Sequence, residues 1–106
     1  MQEKSVQKRV VGWLKKMSRD TNGEVWHMKV HGGQYQMAGV PDIMCVINGI
    51  PVFVELKATG KKPSAIQVNR IKELQVAGAI AFWSDDPDEI TTTLNSIYEE
   101  SKRMIS

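Results

Sequence analysis

The chain has one cysteine, Cys45, which rules out an intrachain disulfide and a cysteine zinc cluster. His27 and His31 are its only histidines, and they lack the repeat spacing of a zinc site. No signal peptide is expected, and no apolar run in the sequence is long enough to span a bilayer. The expectation is therefore a cytoplasmic protein with no membrane partner. Internal repeats and a dividing linker are also missing. So is any helix-turn-helix or zinc finger that would read a base sequence. Neither sign of charge dominates: the net charge is +2 at pH 7, which argues only weakly for a nucleic-acid partner.

What remains is an ordinary globular composition. The 106 residues, 42% of them hydrophobic and 25% charged, are expected to form one domain, 1–106. Such a domain has a real but small core, and a second copy would help to stabilise it. The charges are unevenly spread. Lys15, Lys16 and Arg19 end the first helical segment, Lys61 and Lys62 sit in a loop, and Arg70 and Lys72 follow. Acids gather between Asp85 and Glu100, so the rest of the chain is more basic than the total suggests.

Periodicity sets the elements. Val6, Val10, Trp13, Leu14 and Met17 recur at helical spacing, predicting a helix from about Gln2 to Arg19. Asp20 to Gly23 make a turn, and Val25 to Val30 read as a strand. A glycine-rich loop runs from His31 to Gly39 and carries Gln34, Tyr35 and Gln36. Ile43 to Lys57 form a hairpin around Asn48-Gly49, the pair that best supplies the two positive φ angles of a type I′ turn. Ser64-Ala65-Ile66-Gln67 fits a capping box opening a helix to about Ala77, which Gly78 stops. Ala79 to Trp83 form a short strand. Asp86 and Pro87 then open a last helix with Ile90, Leu94, Ile97 and Tyr98 on its core stripe. The order is α-β-β-β-α-β-α. Both hairpin faces are largely apolar, which suits a strand pair in the middle of a layered α/β domain. Trp13, Trp26 and Trp83 are expected to be core or dimer contacts.

The hairpin also concentrates charge. A two-residue turn pairs Ile47 with Ile50, Val46 with Pro51 and, counting outward, Asp42 with Glu55. That last pair falls at a non-hydrogen-bonded position, where Cβ atoms lie about 4.5–5.5 Å apart. Lys57, two residues past Glu55, points to the same face. Two carboxylates so close must take up a proton or a cation. Mg²⁺, with Mn²⁺ as a substitute, prefers such oxygen ligands and keeps positions for water and substrate oxygens. A lysine alongside can position or deprotonate a water, or steady developing negative charge. The set suits metal-assisted phosphodiester hydrolysis. The competing reading is a strand-end acid and a surface acid with Lys57 as their salt-bridge partner. A bulge in the hairpin would turn one acid to the opposite face.

Gly39-Val40-Pro41-Asp42, then Glu55-Leu56-Lys57, then Ser64 and Gln67 resemble the virus-type replication-repair nuclease (VRR-NUC) domain of the PD-(D/E)XK, or restriction-endonuclease-like, superfamily. The resemblance spans nearly the whole chain. It implies an α+β core with a central mixed sheet flanked by helices on both faces. It further implies that Asp42, Glu55, the backbone carbonyl of Leu56 and Glu3 hold the divalent metal. Lys57 would orient or activate the attacking water, and Gln67 would reach back toward the site. Two of these residues have a second reading: Gln67 closes its capping box, and Glu3 answers the helix dipole. Stand-alone domains of this kind resemble those of bacteriophages and prophages in bacterial cells, and the superfamily includes dimeric junction resolvases.

The expectation is a Mg²⁺- or Mn²⁺-dependent DNA endonuclease acting on branched DNA, such as a junction or flap, as a homodimer. Lys29, His31, Lys61, Lys62 and Arg70 are candidates for contacting the DNA backbone, because phosphate neutralisation dominates nucleic-acid affinity. The alternatives are a sequence-specific or RNA-directed nuclease, or a non-catalytic binding module on a nuclease fold.

Overall fold

The computed structural model describes residues 1–31 and 37–105. The expected Gln34, Tyr35 and Gln36 of the glycine-rich loop lie outside the described residues. Seven elements follow in the anticipated order: α1 (Glu3–Asp20), β1 (Val25–Lys29), β2 (Ile43–Ile47), β3 (Ile50–Leu56), α2 (Ala65–Val76), β4 (Ile80–Ser84) and α3 (Pro87–Ile105). The strands form one mixed sheet in the order β1-β2-β3-β4. The first three are antiparallel neighbours, while β4 returns through α2 to lie parallel to β3.

The turn chemistry decides the hairpin. Asn48 and Gly49 have φ of 47° and 84°, as a type I′ turn requires. Ile47 therefore faces Ile50, Val46 faces Pro51, and the register runs unbroken to Ile43 opposite Val54. No bulge intervenes. Pro51 sits at the start of β3, and pairing with β4 begins one residue later, at Val52. The proline's missing N–H thus costs no ladder bond.

One face of the sheet carries the core. Val25, Ile43, Cys45, Ile47, Val52, Val54 and Leu56 pack against Val6, Val10 and Leu14 of α1 and Ile90, Leu94 and Tyr98 of α3. The apolar positions of both helices recur every three or four residues, so each buries one stripe. Trp13 packs against this core from its edge. Helix α2 lies on the other face, where Ile71 and Ala81 are buried and Gln75 Nε2 donates to the Ala81 carbonyl at 2.8 Å. It covers β4 and leaves much of the remaining face open. Trp26 is 48% exposed and Trp83 36%, so these two tryptophans are not core residues.

The turn end of the sheet is tied by neutral and side-chain hydrogen bonds. The Asn48 amide donates to the Glu24 carbonyl at 2.9 Å, and Asn48 Nδ2 to Ser101 Oγ at 3.0 Å. Tyr98 Oη donates to Glu24 Oε1 at 2.9 Å, and Thr21 Oγ1 accepts from the Val25 amide at 3.2 Å. No helix among the described residues is long and apolar enough to cross a membrane.

Candidate active site

At the opposite end of the sheet, the chain enters β2 through Pro41-Asp42 and leaves β3 through Glu55-Leu56-Lys57. The alternation that buries Val54 and Leu56 in the main core turns Glu55 and Lys57 to the α2 face. Asp42 is one residue outside the ladder. Its backbone carbonyl accepts from the Val30 amide at 2.7 Å, and its Oδ2 accepts from the Leu56 amide at 2.8 Å. The side chain thereby takes the place of the next ladder bond and is held beside Glu55.

Glu55 is 2% exposed, and its Oε1 is buried with no hydrogen-bond partner. Native proteins rarely leave such an atom unmatched, because its desolvation is not compensated. Lys57 Nζ lies 3.6 Å from Glu55 Oε2, with 15% of its side chain exposed. This single long contact does not neutralise the site. Burial first, then Asp42 alongside and the charge of Glu3, push the Glu55 carboxyl up to about 8, against the opposing pull of Lys57. The two carboxyls therefore share a proton, or a cation replaces it.

The surroundings fix this geometry from several sides. The Lys57 amide donates to the Ser84 carbonyl at 3.1 Å, extending the parallel ladder past β3. The Gly60 amide donates to Asp85 Oδ2 at 2.8 Å, and the Thr59 amide to the Met1 carbonyl at 2.9 Å. The second of these bonds brings the start of α1, with Glu3, to the site. Glu3 is exposed and adds charge there. Among the described residues no three His, Cys, Asp or Glu side chains come together as a metal-binding group. The donor set is two carboxylates, one with an unmatched oxygen, plus the Leu56 backbone. That set fits a hard divalent cation, which binds through one or two carboxylates and completes its shell with water and phosphate oxygens.

The other candidates fall into place differently. Gln67 closes the capping box: its Oε1 accepts from the Ser64 amide at 2.9 Å, and the Gln67 amide donates to Ser64 Oγ at 3.3 Å. Arg70 Nε donates to the Ala38 carbonyl at 2.9 Å, and Arg70 Nη1 to Glu73 Oε1 at 2.6 Å. Its fork holds the loop that leads into Asp42. Gly39 lies in that loop with φ of 79°, so close to α2 that a Cβ would fall 2.9 Å from the Ile66 carbonyl oxygen. Sequence reasoning missed this docking of loop on helix, and the glycine of Gly39-Val40-Pro41-Asp42 was its one signal. Lys29, His31, Lys61 and Lys62 are exposed. Lys29 and His31 close the β1 edge, and Lys61 and Lys62 lie in the loop after Lys57.

Neither a family model nor a curated protein matches the sequence. Solved structures do match the fold. A structure described as a VRR_NUC domain protein is similar over 90% of this chain and 86% of its own, with 20% identity and a TM-score of 0.72. A second, described as a VRR_NUC domain, is similar over 97% of this chain and 92% of its own, also at 20% identity, with a TM-score of 0.59.

Proposed function

Given that this chain has the fold of the VRR_NUC domain structures, we propose that it is a nuclease, specifically a Mg²⁺- or Mn²⁺-dependent endodeoxyribonuclease. The observation that carries the reading is the buried, unmatched Glu55 Oε1 beside Asp42 and Lys57. A binding module has no use for so costly a pair, whereas a hydrolase can use it to hold a cation.

Asp42, Glu55 and the Leu56 carbonyl would hold the ion. Once bound, it would supply Lewis-acid stabilisation of the charge that develops on the phosphate oxygens. Asp42 is held for this by the Leu56 amide. Lys57, anchored through its backbone to Ser84, directs its ammonium at the same point and would orient the water that attacks phosphorus in line. Glu3 would act from the rim through its charge or a bridging water. Gln67, engaged in its cap, would contribute by fixing the start of α2.

The absence of a sequence-reading element among the described residues supports branched DNA, such as a four-way junction or flap, as substrate. One site cuts one strand, so symmetric cutting of a junction would use a C₂ homodimer. A bacterial cell carrying a phage or prophage is the setting this reading fits. Cleavage of end-labelled linear duplex, flap and four-way-junction DNA tests it, in Mg²⁺, Mn²⁺ or chelator, with wild type and Lys57→Ala. Metal-dependent cutting of branched DNA, lost in the variant, supports the proposal. Binding without cutting in any metal would reject it in favour of a binding module. Sedimentation with and without junction DNA tests the dimer, and a strictly monomeric protein would remove it.

A further inference from the structure

Helix α1 carries basic residues of two kinds. Arg9 is paired with Asp88 and Lys16 with Asp20. Lys4, Lys8 and Lys15 are exposed and make no ion pair among the described residues. These three line one groove with Gln7, Val11 and Gly12, and no acid lines it. Lys4 follows Glu3, whose charge reaches Glu55, so the groove begins one residue from the rim of the candidate site and continues along the helix. Lys4 and Lys8 are one turn apart, about 6 Å along the axis, and Lys15 lies about 10 Å further. On the neighbouring edge strand, burial and then the charge of Lys15 hold the His27 imidazole below its ordinary value, and this proximity of Lys15 puts the groove on the β1 side of α1. Lys29 points to that same side of the sheet and is exposed.

Gly12 is the second observation. It stands in the middle of an 18-residue helix, where glycine is the poorest choice after proline. A Cβ there would meet nothing within 4 Å, so no contact inside the chain requires the glycine. A bare helix surface between three unpaired lysines has a use only for something that lies against it. A chain of evenly spaced negative charges satisfies both features.

We infer that the Lys4-Lys8-Gly12-Lys15 groove of α1 is a track for the phosphodiester backbone of the DNA strand leaving the active site. The inference rests on the nuclease reading and extends it by naming the surface and the moiety it binds. The lysines span about 16 Å of helix. Three lysines can neutralise up to three phosphates of one strand, which sets the size of the track. It reads no bases, in keeping with a protein that recognises shape.

The test is fluorescence-anisotropy binding of a four-way junction and of a single strand, in chelator, across a salt series. Four variants are compared with wild type: Lys4→Gln/Lys8→Gln/Lys15→Gln, the same three lysines changed to arginine, Gly12→Leu and Lys16→Gln. Each lost phosphate contact lowers the slope of log affinity against log salt by about 0.7–0.9. The triple variant is expected to bind more weakly, with a slope shallower by about 2 to 3. Lys16→Gln is expected to keep the wild-type slope. Gly12→Leu changes no charge and favours helix, so its melting temperature should not fall while its affinity drops several-fold. Lys→Arg at the three positions should restore the slope. Wild-type binding and cutting with an unchanged slope in the triple variant would overturn the track and leave the nuclease reading standing. A wild type that binds no DNA at all would overturn both.

Discussion

The Leu56 amide donates to the Asp42 carboxylate at 2.8 Å, so the loop acid is held by the backbone of the strand that carries Glu55 and Lys57. Replacing Asp42 by alanine leaves that amide without its acceptor, a cost of about 1–3 kcal/mol. Asparagine keeps the acceptor and removes the charge. Asp42→Asn is therefore expected to melt near wild type and Asp42→Ala well below it. Neither should bind Mn²⁺ by calorimetric titration. Wild-type Mn²⁺ affinity in both variants would take Asp42 out of the site.

The Glu55 carboxyl, raised from 4.5 to about 8, makes the metal-free protein sensitive to pH. The folded chain keeps a proton that the unfolded chain releases above about 4.5, so raising the pH favours unfolding. Burial is the main cause, Asp42 and Glu3 reinforce it, and Lys57 opposes it. In chelator, the unfolding free energy should decline between about pH 5 and 8, and Glu55→Gln should flatten the decline. Saturating Mg²⁺ should reverse it, because the ion takes the proton's place. A flat wild-type profile in chelator would show that Glu55 is already ionised at low pH.

Lys57→Ala should lower single-turnover cleavage by about 10²–10⁴-fold, the usual contribution of a positioned acid–base group. Mn²⁺ binding should survive, since the carboxylates remain. Arginine should not restore the rate, because its planar fork cannot replace a compact ammonium at this distance. Equal loss of metal binding and cleavage would instead make Lys57 a counter-ion for the carboxylates.

Gly39→Ala places a Cβ against the Ile66 carbonyl and forces alanine into a left-handed backbone. Urea unfolding should show a loss of roughly 1–3 kcal/mol. Cleavage should fall further than stability does, because the displaced loop carries Asp42. Arg70→Met, which releases the Ala38 carbonyl, should weaken cleavage in the same direction. Full activity in both would show that the loop needs no anchor on α2.

The Cys45 thiol, buried and pushed up to about 12, should resist alkylation in the native protein and react on unfolding. Rapid native labelling would place it nearer the surface than the core packing allows.

How much of this was legible follows from the range of each interaction. Asn48-Gly49 defines a local turn, and counting outward from it predicts Asp42 opposite Glu55 with Lys57 on the same face; the ladder runs unbroken to Ile43 opposite Val54, one residue short of that pair. Ser64 and Gln67 close their capping box within four residues, so that too could be read directly. Contacts between distant segments could not. Arg70 reads as one more surface cation until Ala38 is brought beside it, 32 residues away in sequence. Alternation makes both hairpin faces apolar, but it does not say how far α2 reaches. Trp26, on β1, is half-exposed because that helix sits over β4, at the other edge of the sheet. The set of lysines on α1 is visible as a spacing, yet their freedom from acids is a property of the packed helix.

The hydrogen bonds among Asn48, Ser101, Tyr98, Glu24 and Thr21 all lie at the turn end of the sheet, away from the carboxylate pair. These ties and the chemistry thus occupy opposite poles of one small sheet. A substitution that tightens the turn pole raises the tolerance of the whole domain without touching the residues that act. Surplus stability gained there widens the range of side chains the other pole can try, so this layout favours divergence in activity on an unchanging frame.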